Sequence, residues 1–324
     1  MFADFDAYVS AAYFDKEGQA VFALGDGSVA FEGGERVEAH DGAILCARPH
    51  PKGQGLLTGG DDGRVVWARR GEAPVELAKV PGRWIEALDA SPDSGLFAFS
   101  AGKDLQVRDV SDPAFARVFA HERQVADVAF EPRGRRIATA SYGGAFLWYA
   151  RIAEQKPVKL TWAGAHIGLA FSPDGRFLMS AMQENALHGW RLNDAKDLKM
   201  GGYPAKVKSL AFVADGQFLA TSGANGAVLW PFGGANGPMG KAATEVGFDQ
   251  AALVTRVAGT AKRDILAAGL DDGRVWVCSL AAERTEFLRA DKGAPITALA
   301  VSADGKRVAW GDEDGAAGVG EVTL

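Results

Sequence analysis

Short apolar runs separated by glycine-rich turns follow one another along the whole chain. In the clearest copy, the apolar pair Leu56–Leu57 runs into Thr58, an acidic turn follows at Asp61–Gly63, and a second apolar run, Val65–Trp67, leaves it. An acidic residue followed by glycine between two β-prone runs favours a turn with positive φ, and such runs suit half-buried strands. The pattern therefore predicts a β-hairpin.

Near-copies of this hairpin recur, and a second turn rich in Pro, Asp and Gly marks the other end of each unit. The copies lie at Gly25–Phe31, Gly102–Arg108, Tyr142–Trp148, Asn185–Trp190, Asn225–Trp230, Asp271–Val277 and Asp312–Val319. The second turn is clearest at Ser172–Arg176, and its glycines recur about every 40 residues, a period typical of repeat architectures. Eight units result.

Each unit reads as strands a, b and c followed by a looser strand d. One example is Val125–Phe130, Ile137–Ala140, Ala145–Tyr149 and Val158–Thr161. Four strands in each unit, with no helical period, predict an all-β fold: a closed β-propeller of four-stranded antiparallel blades. Eight blades follow from the count of units, and seven is the alternative if the first unit is misassigned.

The last unit ends without a strand d, although a closed ring needs one. We expect Met1–Phe5 to supply it, because ring closure removes an exposed sheet edge. A repeat array buries apolar surface only between neighbouring units, so we expect one domain over residues 1–324. A glycine-rich segment, 231–250, lengthens one spacing and is interpreted as a mobile surface loop.

The units resemble WD40 repeats, and the resemblance covers essentially the whole chain. It is carried by the sequence S-P-D-G at 172–175, by Ala-His pairs before strand a, and by tryptophans at the end of strand c, which are Trp67, Trp148, Trp190 and Trp230. The resemblance implies a hydrogen-bonded set of His, Asp, Ser or Thr and Trp inside a blade. Only one unit supplies all four, with His40, Thr58, Asp62 and Trp67. A second, partial set is His121, Ser141 and Trp148.

Composition narrows the functions further. The chain has 324 residues, 48% of them hydrophobic, and a formal net charge of −6, which argues against a general nucleic-acid binder because such proteins need a basic field. Cys46 and Cys278 form no paired-thiol motif, so we expect two reduced core thiols. The acidic start and the lack of any apolar stretch near the about 18 residues of a membrane span lead us to expect a cytoplasmic protein that binds no membrane.

Chemical motifs are sparse. The five histidines form no metal-ligand spacing, and no nucleophile motif or paired catalytic carboxylates are present. The stretch G-P-M-G-K-A-A-T within 231–250 departs from a phosphate-binding loop. We therefore expect a protein that is not an enzyme and has no cofactor or metal. An alternative stays open, since distant repeats of a propeller can converge on the central channel to form an enzyme site or bind a small ligand or metal.

The remaining candidate is one face of the ring. On the resemblance, the d–a and b–c loops share this face, and aromatic and Arg residues on it are typical of protein interfaces. The candidate residues are Arg83, Trp84, Lys103, Arg123, Tyr142, Gln183, Lys206 and Trp310. We expect a monomeric scaffold that binds a protein or peptide segment, favouring an acidic one. The alternatives are that Trp84 and Trp310 pack between blades, and that the protein is a subunit of a fixed assembly.

Overall fold

The computed structural model describes residues 2–324, and these form thirty β-strands with no helix among them. The first fifteen strands are β1 Phe2–Asp4, β2 Val9–Phe14, β3 Ala20–Leu24, β4 Ser28–Phe31, β5 Arg36–Glu38, β6 Ile44–Pro49, β7 Leu56–Gly60, β8 Arg64–Ala68, β9 Val75–Lys79, β10 Leu88–Ser91, β11 Leu96–Ala101, β12 Asp104–Asp109, β13 Asp112–Ala120, β14 Asp127–Phe130 and β15 Arg136–Tyr149. The other fifteen are β16 Val158–Phe171, β17 Phe177–Met182, β18 Leu187–Arg191, β19 Lys196–Met200, β20 Leu210–Val213, β21 Phe218–Thr221, β22 Ala227–Pro231, β23 Thr244–Val246, β24 Val254–Gly259, β25 Ile265–Leu270, β26 Val275–Ser279, β27 Arg284–Arg289, β28 Ile296–Val301, β29 Arg307–Asp312 and β30 Ala316–Glu321.

The sheets are antiparallel and follow the chain order. Six of them have four strands: β2–β5, β6–β9, β10–β13, β20–β23, β24–β27, and a sheet in the order β1-β30-β29-β28. The strands nearest the centre contact one another in turn, in the order β2, β6, β10, β14, β16, β20, β24 and β28, and β28 returns to contact β2. The sheets therefore form a closed ring, as predicted for a propeller of four-stranded antiparallel blades.

The seventh sheet has six strands, β14–β19. The first half of β16 pairs with β15 and its second half pairs with β17, so β16 runs without a break from one unit into the next. Because this strand joins two units, the described residues form seven hydrogen-bonded sheets. The eight separate sheets expected from the repeat count are thus not observed, and the number of sheets equals the alternative of seven.

The N-terminal segment closes the last sheet. Strand β1 pairs with β30, with Ala3 opposite Ala317, and the Phe5 N–H donates to the Gly315 carbonyl at 3.0 Å. The predicted closure by the N-terminal strand is confirmed for residues 2–5, and Met1 lies outside the described residues. The outer edge of β30 is therefore paired rather than exposed.

The core lies between neighbouring sheets. One cluster joins Val21 and Val29 of one sheet to Ile44 and Val66 of the next, and similar clusters recur around the ring. Each sheet has apolar residues on both faces, which explains why its central strands read as continuous apolar runs rather than as strict alternation. Among these core residues, Cys278 is a free buried thiol, and Cys46 is free and half-buried.

The segment 231–250, predicted as a loop, includes regular structure as well as loop. It contains β23, which pairs with β22, and it buries Phe232 against Phe177 and Phe212. Arg176 also donates to the Gly234 carbonyl at 3.2 Å. The high glycine content concealed both the strand and the aromatic anchor.

Candidate protein-interaction face

Backbone hydrogen bonds hold the d–a loops and b–c turns together on one face of the ring. Strand a of each unit is its inner strand. The backbone carbonyl just before this strand accepts a hydrogen bond from an N–H of the b–c turn of the same unit. Three examples are the Asp61 N–H to the Ala43 carbonyl at 3.1 Å, the Gln183 N–H to the Ala165 carbonyl at 2.9 Å, and the Glu313 N–H to the Pro295 carbonyl at 3.0 Å. Because these bonds use only the main chain, the side chains on the loops are free to vary. We call this surface the loop face.

Trp84 is the most prominent predicted residue on the loop face. Its side chain is 61% exposed, although the next residue, Ile85, is fully buried and donates its N–H to the Gly60 carbonyl at 3.0 Å. The loop also packs closely on Gly63, where an added Cβ would lie 2.4 Å from the Val80 carbonyl oxygen. The backbone around Trp84 is therefore fixed while its indole ring is open to solvent.

Tyr142 lies in the next unit along the ring. Its ring is 59% exposed, and the Arg123 guanidinium sits 4.9 Å from the ring centroid, a cation–π geometry. The Gln124 side-chain amide donates to the Glu86 carboxylate at 2.6 Å, which links this unit to the unit of Trp84. The structure thus brings Trp84 and Tyr142 onto adjoining parts of one face.

The predicted cations are present but are accompanied by acids. Among the residues described, Arg83, Lys103, Arg123 and Lys206 have no carboxylate within 4.0 Å, so none of these four forms an ion pair. The exposed Glu86 beside Trp84 shows that the face is of mixed charge. Gln183 is exposed, and it lies beyond the Trp84–Tyr142 pair on the turn that follows β17.

Trp310 does not belong to this face. Its side chain is only 1% exposed, and it lies against Gly318 on the neighbouring strand β30. The sequence placed Trp310 at the end of a strand, but β29 continues for two more residues to Asp312. Trp310 therefore occupies a core position between sheets, which was the alternative interpretation of this residue.

Sequence reasoning missed two exposed aromatic residues on the loop face. Tyr8 is 41% exposed and directly precedes β2, so its carbonyl accepts the Gly25 N–H at 2.7 Å as in the other units. Phe248 is 64% exposed in the loop between β23 and β24. Tyr8 could have been found by extending the repeat alignment to the first unit, whereas Phe248 lies inside the irregular segment 231–250.

The set around His40 is buried inside a blade. The His40 Nδ1 lies 2.9 Å from the Asp62 carboxylate, and its Nε2 lies 2.8 Å from the Thr58 hydroxyl. Burial lowers the pKa of His40, although Asp62 offsets part of this effect, so the ring is neutral at pH 7. Burial alone raises the pKa of Asp62, but hydrogen bonds from His40 and Arg64 bring it down to about 2.

Trp67 is not the fourth member of this set. Its indole N–H donates to the Gln54 carbonyl at 2.6 Å, and its ring stacks on His50 with 4.0 Å between ring centroids. The implied tetrad is therefore a triad of His40, Thr58 and Asp62. His50 directly follows β6, and the sequence did not identify it as the stacking partner of Trp67.

Two other units build related networks with different residues. In one, Trp148 donates to His121 at 3.2 Å and Thr139 lies 2.9 Å from the same ring nitrogen, while Ser141 bonds the Gln124 carbonyl instead. Thr139 thus replaces the expected Ser141. In the other, the Tyr203 hydroxyl takes the histidine position and bonds Thr221 at 2.7 Å and Trp230 at 2.6 Å.

The ring encloses a central cavity of about 400 Å³, within the range of small-ligand sites. Arg48, Asp127, Lys208 and Arg256 line it. Burial raises the pKa of Asp127 to about 6, although Arg48 and the backbone amides of Val128 and Leu169 oppose this rise. The wall of this cavity is therefore polar, in contrast to the apolar clusters between the sheets.

Neither a metal cluster nor a membrane helix is found in the part of the chain that the structure describes. No three His, Cys, Asp or Glu side chains in residues 2–324 are grouped so that they could hold a metal ion. No helix in the same range has the length and apolarity needed to cross a membrane.

Comparison with known proteins agrees with this architecture. The computationally designed Ika8 protein, solved by crystallography, superposes with a TM-score of 0.78 at 19% identity over 98% of both chains. At that identity the similarity concerns the fold alone. Its nearly complete coverage shows that the whole described ring, and not one group of sheets, has this propeller architecture.

Sequence relatives carry the same repeat. The chain is 26% identical to Pre-mRNA-processing factor 19 homolog 2 of Arabidopsis thaliana over 54% of this chain and 35% of that protein. It is 26% identical to Protein LST8 homolog of Drosophila melanogaster over 43% of this chain and 49% of that protein. The chain thus spans less than half the length of these relatives. The family model described as WD domain, G-beta repeat, matches residues 35–67 and 198–230, and with the ring of antiparallel blades this places the chain in the WD40-repeat β-propeller family.

Proposed function

We propose that the protein is a non-catalytic interaction scaffold that binds a protein or peptide segment on the loop face. The observation that carries the proposal is the pair of exposed rings, Trp84 and Tyr142, held on adjoining units by a fixed backbone. Aromatic residues that are rigid before binding lose little conformational entropy on complex formation, so they make effective anchors. WD40 propellers serve in general as protein-interaction scaffolds, which agrees with this role.

The chemistry of the face favours a partner that carries carboxylates. Arg83, Lys103 and Arg123 have no ion-pair partner in residues 2–324, so they are available to an incoming acid. Arg side chains can donate two parallel hydrogen bonds to one carboxylate, which adds geometric specificity. The partner in this proposal is thus an acidic segment with an apolar group for Trp84, bound by a monomeric protein in the cytoplasm.

The test is a peptide selection against the full chain, followed by affinity measurement. A selected peptide should be enriched in Asp and Glu, and Trp84→Ala and Arg123→Glu should each weaken its binding about tenfold or more, with affinity falling as salt is added. Phe287→Ala is the matched control, because Phe287 is an exposed aromatic residue on the outer strand β27. Binding that survives both changes on the loop face, or that Phe287→Ala weakens equally, would contradict the proposal.

A second candidate function is that of a subunit in a fixed assembly. Tyr149, Ile152 and Val158 are all exposed and lie close together, at the end of β15, in the following loop and at the start of β16. An apolar group of this kind on an outer surface is typical of a contact with another chain. Loss of binding on changing Ile152 to Asp, with Trp84→Ala neutral, would favour this function over the first.

We propose in addition that the six-stranded sheet represents two blades, which gives eight in total. The Ala150 N–H donates to the Arg135 carbonyl at 2.9 Å, so the two ends of β15 lie side by side. Fourteen extended residues would span roughly 45 Å, and the strand must therefore fold back within itself, at Gly143–Gly144. An experimental density map with seven blades around the channel would contradict this count.

A further inference from the structure

The inner strands direct a set of polar side chains into the central cavity. Five of these strands carry a register shift, for example between Val254 and Arg256 in β24 and between His166 and Gly168 in β16. A β-bulge re-aims the side chain that follows it. Ala11, Gly168, Arg256 and Ala298 follow such a shift and line the cavity, and Asp127 and Ser209 line it from the units of β14 and β20.

Two cations on this wall have no carboxylate partner. Arg256 donates its Nε–H to the Thr297 carbonyl at 2.7 Å and one Nη1–H to the Thr255 carbonyl at 3.1 Å, which leaves its other N–H groups directed to no described residue. Lys208 lines the same cavity from the preceding unit. Neither side chain has a carboxylate within 4.0 Å among residues 2–324, and burial lowers the pKa of Arg256. A guanidinium held by backbone carbonyls, with an exposed ammonium on the same wall, favours a bound anion.

One carboxylate on the same wall has no cation partner. Asp127 accepts the Leu169 N–H at 2.7 Å but forms no ion pair in the described range. Arg48, which also lines the cavity, lies 3.3 Å from Asp89 and donates to the Tyr13 hydroxyl at 2.8 Å. Asp127 therefore presents to the cavity a carboxylate that Arg48 attracts but does not pair with directly.

Small and apolar residues also line this polar cavity. Gly168 has no side chain and lies between the units of Asp127 and Lys208, so nothing fills the wall at that point. Leu169, Leu210 and Leu299 line the cavity and are only partly buried. A cavity lined by charges of both signs and by partly buried leucines is complementary to a molecule that carries both charges and an apolar body.

We propose that the central cavity binds a small zwitterion with an apolar body, of the apolar α-amino acid class. Arg256 and Lys208 bind the carboxylate, Asp127 binds the ammonium group, and the leucines contact the apolar body. Neither Trp84 nor Arg123 lines this cavity, so the site is separate from the protein-binding surface proposed above.

Calorimetric titration of the full chain with L-leucine, L-methionine and L-phenylalanine tests the site. At least one of them should bind with a dissociation constant below about 1 mM. The matched analogues of leucine are 4-methylpentanoate, which lacks the ammonium group, and 3-methylbutylamine, which lacks the carboxylate. Both should bind at least about tenfold more weakly than the zwitterion when leucine is the ligand.

Two variants test the assigned roles. Lys208→Met removes an exposed cation, and Asp127→Asn keeps an oxygen to accept the Leu169 N–H while removing the charge. Each should weaken binding about tenfold, whereas the control Lys206→Met, on the loop face, should leave affinity unchanged. No heat of binding at about 10 mM ligand, or equal affinity for the zwitterion and its two analogues, would overturn the proposal.

Discussion

At the scale of single residues, the most constrained side chains are buried polar groups that satisfy one another. His40 joins Asp62 and Thr58, and both ring nitrogens therefore have partners. A buried polar group that loses its partner bears the full cost of desolvation, which is larger than the net gain from making the bond. The stability of this blade thus depends on all three members being present.

We expect His40→Ala and Asp62→Ala each to lower the free energy of unfolding at pH 7 by about 1–3 kcal/mol. The folded-state pKa of Asp62 is about 2, below its unfolded value of about 4, so its contribution is fully present above pH 4 and is lost as the pH falls towards 2. Denaturant titration measures both effects. The control Asp41→Ala changes an almost fully exposed carboxylate, and a loss of stability there as large as for Asp62→Ala would contradict the assignment.

The sequence identified these residues only in part. His40, Thr58 and Asp62 could be assigned because the repeat fixes their spacing, and the structure shows them in contact. Trp67 could not, since its partner depends on the exit turn, where His50 offers a stacking surface and Gln54 a carbonyl. Tyr203 was missed because the search was for a histidine, and a tyrosine hydroxyl that makes the same hydrogen bonds has no matching sequence signature.

At the scale of elements, the repeat predicts strands well but predicts their continuity poorly. The strands around Trp67 and Trp148 lie where the apolar runs predicted them. The unbroken β16 was not foreseen, because Ala163–Gly164–Ala165 resembles a turn between strands d and a. The β-bulges were also not foreseen, since a single unpaired residue changes the register without changing the apolar pattern.

The N-terminal strand β1 offers a prediction for an element. Deletion of residues 1–5 should remove the partner of β30 and lower the free energy of unfolding by at least about 2 kcal/mol, because several backbone hydrogen bonds and the Phe5–Phe22 ring contact are lost together. The exposed edge should also promote association of chains, measurable by light scattering. A polar extension before Met1, which leaves β1 in place, is the control, and equal stability of the deleted and extended proteins would refute this role of β1.

At the scale of the whole molecule, the ring is held closed by contacts between its first and last sheets. The Thr297 hydroxyl donates to the Val9 carbonyl at 2.7 Å, and Arg307 pairs with Glu32 at 2.6 Å. Such closure brings together residues that are distant in sequence, so Asp127, Lys208 and Arg256 meet in one cavity although no motif links them. This explains why the sequence could leave the channel open only as an alternative and could not name its residues.

The charge of Asp127 supplies the last prediction, because it is costly to the fold. Burial raises its folded-state pKa to about 6, above the unfolded value of about 4, so the folded protein binds more protons between these pH values. The amount by which Asp127 lowers the free energy of unfolding is therefore zero below pH 4, grows as the pH rises through 6 and reaches its full value at pH 7.

Asp127→Asn should accordingly raise the free energy of unfolding at pH 7 by about 1–2 kcal/mol, a value reduced because Asp127 is only partly buried, and the gain should vanish near pH 4. Thermal or denaturant unfolding across this pH range measures the effect, with Asp104→Asn as a control at a partly exposed site near the loop face. If the variant is more stable but no longer binds the zwitterion, the carboxylate is retained for its ligand at the expense of stability. Such a trade-off is common at functional sites. If Asp127→Asn instead lowers the free energy of unfolding at pH 7, the attraction between Asp127 and Arg48 outweighs the cost of burial. Asp127 then stabilises the closed ring.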